Sequence, residues 1–220
     1  MVVATDSMKQ TVYILAKQYQ VTPPELFAAI VASHFVETYK HIHSAKVKVK
    51  VHRWERMTVD GEPHPHSFFR DGAETRNVEA TANEGKGISI RSAIAGLLVL
   101  KSTGSAFHSF IKDEYSILKD VDDRILSTEV DCGWLWRNLS TLKDVEAAVP
   151  QFDETWNKAR SITMKTFALE ESPSVQNTMY KMCEQILAAA PDVQAVDYSL
   201  PNKHYFEIGM SCQYRCNVAC

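Results

Sequence analysis

The sequence predicts an α+β fold of antiparallel sheets, each backed on one face by a pair of helices. Three observations lead there. Phe27, Val31, Phe35 and Tyr39 recur every four residues, the apolar stripe of a surface helix. The period then drops to two, with Val47, Val49 and Val51 alternating with Lys46, Lys48 and Lys50, as in a half-buried strand. A comparable set of strand and helix signals returns in the second half, and strands grouped apart from helices mark antiparallel sheets with helices on one side.

Taken in order, a first helix is expected from Asp6-Ser7, good N-cap residues, to about Gln18. Thr22-Pro23-Pro24-Glu25 reads as a capping box with proline at the first helical position, opening a second helix that ends near His41. The Lys/Val alternation follows, Asp60-Gly61 signals a hairpin turn, and Asn77 to Ala82 is a further strand. Glu84-Gly85-Lys86-Gly87 is a break that divides a first domain, residues 1–85, from a second, residues 86–220. Ile88 to Leu100 reads as a long strand, Ser105 to Lys112 as a short helix and Ile125 to Trp136 as strand. Helices are expected at about Asp153 to Leu169 and Pro173 to Ala190, then strands at Val193 to Tyr198 and His204 to Ile208.

Composition narrows the function. Of 220 residues, 45% are hydrophobic and 23% charged, ordinary for a globular protein, and the net charge of −3 lacks the clustered basic excess of a nucleic-acid binder. Lys46 to Lys50 form one solvated strand face rather than a basic patch. The longest apolar run, Ile94 to Leu100, is too short to span a membrane, and the N-terminal residues do not read as a secretory signal. Of five cysteines, Cys132 and Cys183 sit in apolar segments and read as reduced core residues. The odd count favours a reducing compartment. Cys212, Cys216 and Cys220 form a C-x3-C-x3-C tail, read as a replaced C-terminus rather than a metal site. His52, His64 and His66 could attract zinc, but His64-Pro65-His66 reads as a stiffened loop with solvated imidazoles.

The segment from Leu98 to Arg124 is the most specific. Leu98-Val99-Leu100 leads into Lys101-Ser102-Thr103, followed by Ser105, Phe107, Phe110, Tyr115, Leu118 and Arg124. A second segment runs from Tyr198 through Pro201-Asn202-Lys203-His204 to Glu207, and a third is Val3-Ala4-Thr5-Asp6-Ser7. In order and spacing these three resemble the hallmark segments of urate oxidase (uricase), and the resemblance runs from about Val2 to Ile208.

That resemblance implies two tandem T-fold (tunnelling-fold) domains, with the first hairpin and the last strand missing from this chain. It implies cofactor-independent oxidation of urate by O2 to 5-hydroxyisourate and hydrogen peroxide, with no metal. It implies a homotetramer with active sites at subunit interfaces, Thr5 and Asp6 coming from one subunit and the remaining site residues from its neighbour. No membrane or nucleic-acid partner is implied. Peroxisomal residence is also implied, although the chain ends in Val218-Ala219-Cys220 rather than a Ser-Lys-Leu type signal.

The residue types suit the substrate. Urate is flat, anionic and edged with amide-like groups. Arg124 offers a planar fork of donors, Gln176 an amide that donates and accepts, and Phe107 a stacking face. Val175 follows the helix start Ser172-Pro173-Ser174, so its N–H is an unpaired donor where an anion is favoured. By resemblance, Thr5 is the proton-relay threonine and Asp6 offers its N–H to the substrate. Asn202 shares with Thr5 the place for O2 and then water, and His204 relays a proton. The family's base lysine has no counterpart among the four residues before Thr5, and Lys9 lies on the adjacent helix. A site without its base keeps recognition and loses about 10²–10⁴-fold in rate. The expectation for the chain as written is therefore near silence and poor solubility. A truncated purine-binding remnant is the runner-up, and a zinc-dependent pterin enzyme of the same fold, set aside by the Lys-Ser-Thr and Pro-Asn-Lys-His motifs, is third.

Overall fold

The structure, a computed structural model, describes residues 2–205. It opens with α1 (Thr5–Gln18) and α2 (Pro24–Thr38), continues through β1 (Ser44–Val59), β2 (Glu62–Asn83), β3 (Gly87–Lys101) and β4 (Leu126–Trp136), then α3 (Leu142–Ala147), α4 (Val149–Leu169), α5 (Val175–Ala189) and β5 (Val193–Ser199). The five strands form one antiparallel sheet in the order β1-β2-β3-β4-β5.

One face of that sheet carries the helices. Val78 and Ala80 of β2, Ile90 and Ile94 of β3 and Val130, Cys132, Trp134 and Trp136 of β4 alternate inward. They meet Ala28 and Ala29 of α2, Val145 of α3, Phe152 and Ala159 of α4 and Ile186 of α5 in one buried cluster. The α1 helix packs on α2 through Leu15 against Phe27 and Val31, the first half of the predicted stripe. On β1 Val47 and Val49 pack against the core while Val51 is exposed, and Lys46, Lys48 and Lys50 stay in solvent, where Lys46 and Lys48 pair with Glu79.

The Asp60-Gly61 turn joins β1 to β2 as expected. Val59 pairs with Glu62 across a two-residue loop, and Asp60 and Gly61 take φ of 53° and 85°, the left-handed pair that such a loop requires. The Glu84–Gly87 break is the turn between β2 and β3, so the sheet runs unbroken through it.

Four local expectations are corrected. The first helix is capped by Ala4, not Asp6-Ser7, so Thr5 and Asp6 stand in its first turn. The capping box at Thr22 does not form, because Glu25 is fully buried and turns inward to Arg76 at 2.7 Å and to the Ser92 hydroxyl at 2.7 Å. A buried carboxylate needs a cation and strong donors more than a helix end needs a cap. The segment from Ser105 to Lys112 is not helical: Ala106 and Phe107 give their amides to Ser172 and Val121, and Ser109 has a φ of 60°. His204 and Tyr205 are not strand, and the remainder of the strand expected to Ile208, like the Cys212, Cys216 and Cys220 tail, lies outside the described residues. The structure adds α3, opened by a capping box between Thr141 and Asp144.

Candidate active site

Three chain segments converge where β3 runs out. Beyond Lys101 the chain turns through Thr103 and Gly104, and residues 105–107 are then held on two sides. On one side Ser105 bridges Ser172, with the Ala106 amide donating to the Ser172 carbonyl at 2.8 Å. On the other, Phe107 and Val121 exchange both backbone hydrogen bonds, at 2.7 and 2.9 Å. The Arg124 amide donates to the Ser105 carbonyl at 2.8 Å. The backbone thus fixes Phe107, Arg124 and the approach to α5 relative to one another.

The side chains follow. The Arg124 guanidinium carbon lies 5.4 Å from the centroid of the Phe107 ring, within cation–π range, and its Nε is buried with no hydrogen-bond partner among the described residues. A buried, unpaired guanidinium N–H is costly unless something else accepts from it. Phe107 also stacks on Phe110, with centroids 4.8 Å apart. The Ser172 hydroxyl bonds the Ser174 carbonyl, and the Ser174 hydroxyl accepts from the Asn177 amide at 3.2 Å, capping α5. Val175 and Gln176 are then the first two residues of α5, and their N–H groups are among those a helix leaves unpaired.

Asp123 joins these pieces. Its carboxylate accepts from the Thr103 hydroxyl, from the Gly104 amide at 2.8 Å and from the Ser105 amide at 3.3 Å. The Thr103 bond foremost, then the amides of Ser105, Gly104 and Arg124, hold its carboxyl below the usual aspartate range.

Asn202 reaches the same region along β4, the strand that begins two residues after Arg124. It forms an isolated bridge with Thr128, whose hydroxyl donates to the Pro201 carbonyl at 2.9 Å. The Lys203 amide donates to the Ser127 carbonyl at 2.8 Å, and Lys203 Nζ pairs with Glu129 at 2.7 Å. Three successive residues of β4 thereby hold three successive residues of the Pro201 turn. His204 follows, exposed.

Thr5 and Asp6 are elsewhere. Both are exposed on the first turn of α1, where Asp6 pairs with Lys9 at 3.4 Å, and within the described residues neither bonds to Phe107, Arg124 or Asn202. Lys9 stands on the same exposed turn.

Sequence reasoning passed over Asp123, Thr128 and the backbone role of Ser105. The only trace of Asp123 was its place beside Arg124. Cys132 is buried, as expected, and burial pushes its thiol up to about 12, which suits a core residue and not a nucleophile. His64-Pro65-His66 is not a loop but part of β2, with His64 half-buried and the two rings' centroids 4.6 Å apart, and no metal-binding cluster forms among the described residues.

The comparisons with known proteins agree with one another. A family model described as Uricase matches residues 1–81 and 90–217. Over 210 residues the chain is 59% identical to a protein named Uricase from Aspergillus flavus, covering 96% of this chain and 70% of that protein. It is 47% identical over 210 residues to one from Schizosaccharomyces pombe, with the same coverage. The crystal structure of uricase from Arthrobacter globiformis superposes with a TM-score of 0.81 at 33% identity, covering 94% of this chain and 67% of that one. On sequence and structure together, the chain belongs to the uricase family.

Proposed function

We propose that the protein is a urate oxidase, converting urate, O2 and water to 5-hydroxyisourate and hydrogen peroxide without a cofactor. The observation that carries this reading is the buried, unpaired Arg124 Nε beside the Phe107 ring, backbone-tied to the start of α5. A flat anion stacked on Phe107 accepts from the Arg124 fork and from the Val175 N–H, and reads the Gln176 amide at its other edge. Holding the anion in one plane leaves its face open to oxygen. Asn202, pinned by Thr128, serves the oxygen and then the water, and His204 and Thr5 move the protons.

The distance of Thr5 and Asp6 from these contacts fits a site shared between subunits of a homotetramer. The β1–β2 hairpin supports association, because Trp54 is 61% exposed and Val59 52%, with Phe68 and Phe69 exposed beside them. The division into domains at residues 1–85 and 86–220 belongs to the same proposal, since α1 and α2 cover the first half and α4 and α5 the second. So does peroxisomal residence.

Calorimetry with urate under anaerobic conditions tests recognition, and the loss of urate absorbance in air tests turnover. A protein that binds no urate overturns the reading. Turnover that vanishes with EDTA and returns with one metal overturns its cofactor-free part.

A further inference from the structure

We infer that Asp123 is a positioning residue for Arg124, fixing the guanidinium fork through the Thr103–Ser105 turn. The inference rests on the urate reading and deepens it. The Nε of Arg124 is buried and has no hydrogen-bond partner among the described residues. What places it is its own backbone, through the amide bond to the Ser105 carbonyl. The Ser105 peptide is in turn held from its other side, because its amide and that of Gly104 donate to one oxygen of Asp123 while Thr103 donates to the other. Gly104 has a φ of +78° and its carbonyl accepts from the Ser172 amide, so the turn has a single shape. Removing the carboxylate hands the exposed Thr103 hydroxyl to water and leaves the amides of Gly104 and buried Ser105 without their shared acceptor beside half-buried Arg124, so the turn relaxes toward solvent. The fork then loses its fixed angle while its charge remains.

Anaerobic calorimetry with urate is the test, on wild type and four variants. Asp123→Ala is expected to weaken urate binding about tenfold, the scale of a sub-ångström to ångström displacement of a positioning group. Asp123→Asn keeps a carbonyl for the two amides and an NH2 for the Thr103 oxygen, and is expected to restore binding to within about threefold of wild type. In an Arg124→Ala background, Asp123→Ala is expected to add less than about twofold, because the group it aims is gone. A purely structural role would lower affinity by the same factor in both backgrounds. Where Asp123→Ala does not fold, Thr103→Val removes one donor only and is expected to weaken binding by a few fold with native unfolding behaviour.

Wild-type affinity in Asp123→Ala or, if that variant does not fold, in Thr103→Val overturns the inference alone, as does an equal loss with and without Arg124. A wild-type protein that binds no urate overturns the function reading, and this inference with it.

Discussion

Thr128 donates its hydroxyl to the carbonyl of Pro201 at 2.9 Å, from a position with no solvent exposure. The bond ties the turn that carries Asn202 to the strand that begins just after Arg124, so the two halves of the candidate site share one strand.

Replacing Thr128 by valine keeps the shape and removes the donor, leaving a carbonyl unpaired at a cost of about 1–3 kcal/mol. The expected result is faster amide exchange at Lys203, whose N–H is bound to Ser127, and a lower turnover rate with KM little changed. Thr128→Ser is expected to reverse both. Exchange and turnover at wild-type levels in Thr128→Val would detach this bond from the site.

Arg124 is expected to carry most of the recognition. Loss of a buried, hydrogen-bonded charge pair costs about 3 kcal/mol, roughly 100-fold in affinity, so Arg124→Ala should bind urate that much more weakly. Arg124→Lys should fold as wild type yet recover little of the loss, because an ammonium cannot reproduce a planar fork. Unchanged affinity in Arg124→Ala by calorimetry would remove this residue from the site.

Gly87 opens β3 with a φ of +81°, and a Cβ placed there would stand 2.5 Å from the Ser140 carbonyl oxygen. That oxygen already accepts from the Ile88 amide at 3.1 Å. Gly87→Ala combines a left-handed backbone with a clash against backbone, and a loss of about 1–3 kcal/mol in urea unfolding is expected. Gly85, with a φ of +70° and open space around its Cβ position, should lose less on the same change. Equal losses would show that conformation alone decides.

What was legible in the sequence was whatever local physics decides. The switch from period four to period two placed α2 and β1, and Asp60-Gly61 gave the hairpin because its two residues must both be left-handed. Pro173-Ser174 announced α5 within two residues. Illegible features depend on partners far along the chain. Glu25 looked like half of a capping box, but Arg76 lies 51 residues away and takes it into the core. Ser105 to Lys112 had helix-like residues, yet Val121 and Ser172 claim its amides. Family motifs pointed to Phe107, Arg124 and Asn202, whereas Asp123 and Thr128 act on peptide groups, which a list of side chains does not reveal.

Glu74 gives the pH prediction. It is 5% exposed on β2 and receives Arg160 through Nε and Nη2 at 2.8 and 2.9 Å, and Arg53 at 2.7 Å. Arg53 also bonds Asp71 at 2.9 Å, so this cluster joins the β1–β2 arm to α4. Burial pushes the carboxyl up, but the bonds from Arg160 and then Arg53 outweigh it, and the net position is below the usual 4.5. A depressed folded value means that folding favours the ionised form. The contribution is present in full above the unfolded value and disappears as pH falls through the folded one. Glu74→Gln removes the anion and leaves Arg160 facing an amide, so a loss of about 3 kcal/mol is expected near pH 7. Below the folded value wild-type Glu74 is itself neutral, so the gap between the two proteins in urea unfolding should narrow as pH falls below the usual 4.5 and close once the folded value is passed, a titrating wild type beside a flat variant. A gap of the same size at pH 7 and pH 3 would mean that shape, and not charge, is what Glu74 contributes.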